Sequence, residues 1–262
     1  MFLARVVADQ SVSYAVVEGL DEVGDVTKAT EFHLLKEHPL LGGIHLTGVI
    51  KTPGDVKVLA PLIPSKVIGI GKNYADHAKE MGGEVPPEPI CFLKPTTSII
   101  AHRDVIQLPR QSEHVEHESE LAIVISKMGR NIPKGEALDY VFGYSVANDV
   151  TARDIQKSDG QWTRAKGFDT FLPFGPWIQT EFDYKQGILE AKVNGVVKQH
   201  AALDLMVNDV ETLVSWCSES MTLLPGDVIL TGTPAGVSPI TAGDQVECFI
   251  PGVGRLINSV SR

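Results

Sequence analysis

The sequence predicts a β-rich α+β fold, with a small N-terminal β domain over residues 1–60 and a larger domain over residues 61–262. Three observations carry that expectation. Strand-length apolar runs outnumber segments of helical period, and the two do not alternate regularly as βαβ winding requires. Short apolar–polar alternations dominate the first sixty residues. The stretch Ala60-Pro61-Leu62-Ile63-Pro64-Ser65 then punctuates the chain with two prolines and reads as a linker.

The elements follow in order. Phe2-Leu3-Ala4-Arg5-Val6-Val7 and Tyr14-Ala15-Val16-Val17 read as small strands separated by turns. Lys66-Val67-Ile68-Gly69-Ile70-Gly71 is a buried strand ending at glycine. Asn73 to Met81 reads as a short helix that Asn73 caps. Glu120 to Ser126, rich in Ile, Val and Leu, is a strand, as is Val141 to Asn148. Asp149 to Lys157 is expected to be helical directly afterwards. Ile188 to Val193 is a strand whose Asn194-Gly195 pair signals a hairpin into Val196-Val197. Val210 to Cys217 looks helical, and Pro225-Gly226-Asp227 turns the chain into Val228-Ile229-Leu230.

Composition excludes several classes. At 262 residues with 43% hydrophobic content, a sizeable core can form. No apolar run approaches the roughly 20 residues of a membrane span, and the first residues lack the pattern of a signal peptide. Cys91, Cys217 and Cys248 form no CxxC pair, which fits a reducing cytoplasm. A net charge of −10 argues against nucleic acid as a partner. The same field repels an anionic substrate, so such a substrate needs a local cation or basic residues.

The segment His117-Glu118-Ser119-Glu120-Leu121-Ala122 carries the most chemistry. On a strand, side chains two apart share a face, so Glu118 and Glu120 project together. Paired carboxylates entering an apolar strand repel unless something positive lies between them. Mg²⁺ or Mn²⁺ suits carboxylate oxygen; a solvated strand start with two surface glutamates remains the alternative. Asp149 lies between a strand and a helix, as a cap or as a third ligand. Arg153 and Gln156 share its end of the helix and form a reader for a substrate carboxylate. His114 and His117 are three apart, so on a strand they face opposite ways and do not converge on a zinc site.

His77 and Glu80 are three apart on the expected helix and can touch. A carboxylate that orients an imidazole is one way to build a general base; a surface helical pair is the other reading. Lys166, in a loop-like stretch among aromatic residues, and Lys94 are each either oxyanion partners or exposed lysines. The Thr231-Gly232-Thr233-Pro234 turn either presents N–H and hydroxyl groups to an anion or is a plain tight turn.

Six ordered motifs resemble the fumarylacetoacetate hydrolase family: Gly-Lys-Asn-Tyr-Ala-Asp-His (71–77), Phe-Leu-Lys-Pro (92–95), His-Glu-Ser-Glu-Leu-Ala (117–122), Asn-Asp-Val-Thr-Ala-Arg-Asp (148–154), Lys-Gly-Phe-Asp-Thr (166–170) and Leu-Thr-Gly-Thr-Pro-Ala-Gly-Val (230–237). The resemblance runs from about Lys66 to Val260. It implies a mixed β-roll catalytic domain, a homodimer, and a Mg²⁺ or Mn²⁺ site on Glu118, Glu120 and Asp149. It further implies a proton-transfer dyad on His77 and Glu80, carried by a lid, and Lys166 as oxyanion partner. Arg153, Gln156, Lys94 and the Thr231-Gly232-Thr233 turn fall near the substrate. The first sixty residues resemble the small extra domain of bacterial members. One departure stands out: members that hydrolyse fumarylacetoacetate carry a further Asp ligand seven residues before the dyad histidine, where this chain has Ile70.

The expected function is therefore that of a Mg²⁺- or Mn²⁺-dependent enzyme acting on small 2-oxo dicarboxylic acids through a metal-stabilised enolate. Decarboxylation of oxaloacetate to pyruvate leads that reading. A 2-hydroxyhepta-2,4-diene-1,7-dioate isomerase and an acylpyruvate hydrolase use the same site. Outside enzymes, the alternative is a metal-stabilised binding protein.

Overall fold

The computed structural model describes residues 1–262. The first sixty residues form β1 (Phe2–Ala8), β2 (Ser11–Glu18), β3 (Glu31–Leu35), β4 (Leu46–Lys51) and β5 (Val56–Leu59), with one helical turn α1 (Pro39–Gly42). Next come β6 (Val67–Gly71), helix α2 (Ala75–Glu80) and β7 (Ile90–Lys94). Three short strands, β8 (Ile99–Ile100), β9 (Val105–Gln107) and β10 (Val115–Glu116), lead to the long β11 (Ser119–Ile125) and β12 (Val141–Asn148). After β13 (Thr151–Ala152), helices α3 (Arg153–Asp159) and α4 (Thr163–Lys166) precede β14 (Leu172–Gln179). The remainder is β15 (Ile188–Val193), β16 (Val196–Ala202), helix α5 (Val210–Ser220), β17 (Val228–Leu230), β18 (Gln245–Ile250) and β19 (Gly254–Ser261).

A 12-stranded sheet runs in the order β4-β3-β2-β1-β14-β12-β11-β17-β6-β7, with β5 on β1 and β8 on β14. A 5-stranded sheet, β16-β15-β18-β19-β9, packs beside it. The strand-rich, mixed architecture is the one expected. The N-terminal strands join the main sheet where Phe2 and Leu3 of β1 pair with Gln179 and Ile178 of β14.

Strand β11 explains the centre of the molecule. All seven of its residues are buried. Leu121, Ile123 and Ile125 enter a core shared with Val210, Leu213 and Val214 of α5. Ala122 and Val124 point the other way, against Leu172, Phe174 and Val228. Burial on both faces is why the run is continuously apolar instead of alternating. Each such Leu or Ile contributes about 1.5–3 kcal/mol of burial.

Strand register decides where the polar residues go. Ser119 at the start of β11 pairs with Asn148 at the end of β12. Ala122 pairs with Leu230, and Leu230 with Gly69 in the parallel neighbour β6. The start of β11 and the ends of β12, β17 and β6 therefore meet at one end of the sheet. Each is followed or preceded by a segment carrying one of the six motifs.

Four local expectations differ from the structure. Asn73 does not cap α2, whose N-cap is Tyr74 with no side-chain bond. Fully buried, Asn73 instead donates Nδ2 to the carbonyls of Thr231 (2.8 Å) and Asn208 (3.0 Å) and accepts from the Asn208 N–H (2.8 Å). The helix expected from Asp149 begins only at Arg153, because Thr151 and Ala152 first pair with β10. Lys166 lies on the single turn α4, not in a loop. The proline stretch is not a free tether, since Leu62 and Ala60 pack into the core of β14 and β17. The Asn194-Gly195 hairpin forms as read, both residues having positive φ (52° and 78°).

Candidate functional site

The three acidic residues meet. Glu118, Glu120 and Asp149 each offer a carboxylate oxygen within 4.8 Å of the others, and all three are buried. Glu118 immediately precedes β11, where Asn148 Oδ1 accepts its backbone N–H at 2.9 Å. Glu120 follows two residues on, facing the same way. Asp149 is fixed by its own N–H, which donates to the Glu118 carbonyl at 2.8 Å. Its side chain serves the cluster and caps no helix.

Cations fill much of the space around these carboxylates. Lys166 Nζ donates to Glu118 Oε2 at 2.7 Å and Asp149 Oδ2 at 2.6 Å. Lys94 Nζ donates to Asp149 Oδ1 at 2.5 Å and to the Phe171 carbonyl at 3.0 Å. Arg153 forms ion pairs of 2.6 Å with both Glu116 and Glu118, and its Nη1 donates to Gln156 Oε1 at 3.0 Å. Burial pushes the Glu118 carboxyl up, but Lys166 and Arg153 outweigh it and hold Glu118 well below the usual carboxylate range. Burial lowers Lys94, whose attraction to Asp149 only partly offsets it. Lys166 ends raised, because Asp149 and Glu118 overcome its desolvation.

Glu120 is the exception. It has no cationic partner within salt-bridge distance, and its one hydrogen bond comes from the Gly232 N–H at 2.7 Å. Burial, then the charges of Asp149 and Glu118, push its carboxyl well above the ordinary range. Three cations face four carboxylates (Glu116, Glu118, Glu120 and Asp149), and the excess charge sits where three oxygens converge. A hard divalent cation fits that donor set, since it takes carboxylate oxygens and offsets the charge Glu120 leaves unmatched.

The dyad also forms. His77 Nδ1 lies 3.1 Å from Glu80 Oε2, and Glu80 Oε1 accepts the Gly236 N–H at 3.0 Å. One carboxylate thus orients the imidazole and ties α2 to the loop after β17. His77 faces the same cavity, of about 800 Å³, as Glu118, Glu120, Arg153, Gln156, Lys166 and Thr233. Ile70, at the position of the absent Asp ligand, also lines it.

The remaining sequence-derived residues take other places. Thr231 Oγ1 donates to the Leu121 carbonyl (3.0 Å) and Thr233 Oγ1 to that of Ser119 (2.8 Å), so the turn clamps β11. Lys94, Thr231 and Gly232 are held behind the carboxylates and do not line the cavity. His117 is buried on Ser238 Oγ at 3.0 Å, with burial pushing its imidazole down to about 4. His114 reaches Glu116 instead, so the two histidines share no ligand position.

Sequence reasoning passed over Glu116 and Gln199. Glu116 binds Arg153 and His114; its signal was the alternation Glu116-Glu118-Glu120. Gln199, fully buried on β16, accepts the Ser119 N–H at 3.0 Å and donates to Thr233 Oγ1 at 2.7 Å. No local pattern marks it, because its partners are distant in sequence.

Fold and site together define a β-rich enzyme with a buried carboxylate centre opposite a histidine–glutamate dyad. The chain belongs to the fumarylacetoacetate hydrolase family: the family model for the fumarylacetoacetate hydrolase C-terminal region matches residues 66–261. The crystal structure of 2-hydroxyhepta-2,4-diene-1,7-dioate isomerase from Mycobacterium marinum is 47% identical, with a TM-score of 0.91 over 100% of this chain and 98% of that one. A mitochondrial oxaloacetate tautomerase from Xenopus laevis is 43% identical over 224 residues, 80% of this chain and 70% of that protein. Fumarylpyruvate hydrolase from Pseudomonas aeruginosa, solved with Mn²⁺ and pyruvate, is 31% identical with a TM-score of 0.72, over 78% of this chain and 91% of that one. No helix is long and apolar enough to cross a membrane.

Proposed function

We propose that this chain moves a proton between the keto and enol forms of a small 2-oxo dicarboxylate, as an isomerase or tautomerase dependent on Mg²⁺ or Mn²⁺. The observation that carries the reading is the His77–Glu80 dyad, formed and anchored on Gly236, facing the three-carboxylate cluster across one cavity. A relative named oxaloacetate tautomerase and a structural neighbour named as an isomerase support it.

Glu118, Glu120 and Asp149 would hold the cation, which supplies Lewis-acid polarisation of the 2-oxo group and a template for the adjacent carboxylate. Arg153 and Gln156, already bonded to each other, orient that carboxylate. Lys166 brings its ammonium to the same oxygens and stabilises negative charge developing on the substrate. Glu80 holds His77 by Nδ1, so Nε2 is the nitrogen that takes the proton from carbon and returns it.

Decarboxylation of oxaloacetate, the leading expectation from sequence, passes through the same enolate but does not require a base. The buried lysines and Arg153 around the cluster favour it as a second reading. The two separate in one experiment with Mg²⁺ present, in which enol decay of oxaloacetate and release of pyruvate are followed in wild type, His77→Ala and Glu118→Ala. The proposal predicts that His77→Ala abolishes tautomerisation and Glu118→Ala abolishes both activities. Pyruvate release at the wild-type rate with no catalysed enol decay overturns it in favour of the lyase. No turnover of oxaloacetate, acetylpyruvate or the dienedioate by wild type favours a binding protein.

A further inference from the structure

Four charged bases line the catalytic cavity: Lys72, Arg153, Lys157 and Lys166. Arg153 and Lys166 are committed to Glu116, Glu118 and Asp149. Lys157 is exposed to solvent near the end of α3, where water screens it. Lys72 differs from all three. It is half-buried, and no carboxylate or carbonyl of the chain accepts from its ammonium.

Its backbone position is fixed in a costly conformation. Lys72 has φ 55°, the left-handed region that non-glycine residues avoid. Its neighbours leave little freedom to relax. Gly71 packs so closely on Trp162 that an added Cβ would lie 2.2 Å from the indole, and Asn73 is buried with both polar atoms of its side chain bonded. The Lys72 side chain runs from there toward the turn after α2, its Nζ 2.9 Å from the position of a Cβ on Gly83. It therefore stands at the cavity wall beneath the helix that carries the dyad.

We propose that Lys72 is a specificity-determining residue that recognises the distal carboxylate of a dicarboxylate substrate. The inference rests on the proposed function, in which the first carboxylate and the 2-oxo group lie at Glu118, Glu120, Asp149 and Arg153. With Arg153 and Lys166 already committed to Glu116, Glu118 and Asp149, a second substrate carboxylate needs its own cation in a molecule of net charge −10. Lys72 is the partly desolvated cation left to provide it, and an ammonium in such a setting binds carboxylate more strongly than one in bulk water.

The test compares oxaloacetate with its 4-methyl ester, which removes only the distal charge. Lys72→Gln is expected to raise KM for oxaloacetate about tenfold, leaving kcat and the KM of the ester within about twofold; Lys72→Arg restores the oxaloacetate KM. An equal loss on both substrates, or a fall in kcat alone, overturns the proposal, because it shows Lys72 supporting the helix above it. If wild type turns over neither compound, the functional reading fails. Calorimetric affinities of the same two compounds for the Mg²⁺-loaded protein then decide on Lys72: a wild-type preference for the diacid, lost in Lys72→Gln, upholds it, and equal affinities or no binding refute it.

Discussion

Two cavities of similar size lie in this molecule and differ in how deeply their charged groups are buried. The cavity beside the carboxylate cluster measures about 800 Å³; the other, about 710 Å³, lies where the N-terminal strands meet β14 and β19. The second also carries charge: Arg255 pairs with Asp25 at 2.8 Å, and Lys57 lies 3.9 Å from Asp104. Those groups are in contact with water, Lys57 being 68% exposed at its side chain and Asp25 36%. At the carboxylate cluster beside the first cavity, Glu118, Asp149 and Lys166 are each at most 4% exposed, and Glu120 has no cation. Buried charge without a partner, more than space, distinguishes a site that can do chemistry. Exposed pairs are ordinary surface electrostatics.

Substitutions at the two cavities should have effects of very different size. The largest effect is expected at the cluster: Glu118→Gln should lower kcat with Mg²⁺ on the order of 10³-fold or more, because it removes a proposed cation ligand and the partner of Lys166 and Arg153. Steady-state kinetics with retained folding by circular dichroism checks it. His77→Ala should lower proton-transfer activity at least about 10²-fold while leaving cation affinity intact, which separates the dyad from the cluster.

The second cavity should answer to acid instead. Burial, with Arg103 adding to it, pushes the His102 imidazole from 6.5 down to about 4. Its folded pKa is depressed relative to the unfolded chain, so the unfolded state binds the extra proton first. Stability should therefore fall as pH drops from about 6.5 to about 4, by up to about 3 kcal/mol. His102→Asn should flatten that part of the curve in urea titrations without changing kcat at pH 7.5. The smallest effect belongs to the exposed pair: Lys57→Gln should cost under about 1 kcal/mol and leave activity unchanged. A large activity loss there would erase the distinction between the cavities.

Much of the fold was legible because its strands are apolar runs of the right length with clear turn chemistry. Val141–Asn148 and the Asn194-Gly195 hairpin follow from local sequence alone. The pairing of Glu118 with Glu120 was legible for the same reason, since a two-residue period is local. What escaped depends on register. Local sequence marks Asn73 as a cap, and only the arrangement of β6 beside β17 shows it joining Thr231 to Asn208. Local sequence leaves Lys94 facing either substrate or solvent, yet the fold carries it to Asp149, 55 residues along the chain, in the interior. A buried lysine is visible only once its carboxylate is in place.

The proposed chemistry depends on Glu118, Glu120 and Asp149 holding a divalent cation. Calorimetric titration of Mn²⁺ into chelator-stripped protein tests it without any assumption about substrate. One site per chain is predicted in the wild type, with binding weakened about 100-fold or more in Glu120→Gln, whose carboxylate is the one left unmatched by the protein's own cations. Equal Mn²⁺ affinity in wild type and Glu120→Gln, or no binding to either, would contradict it.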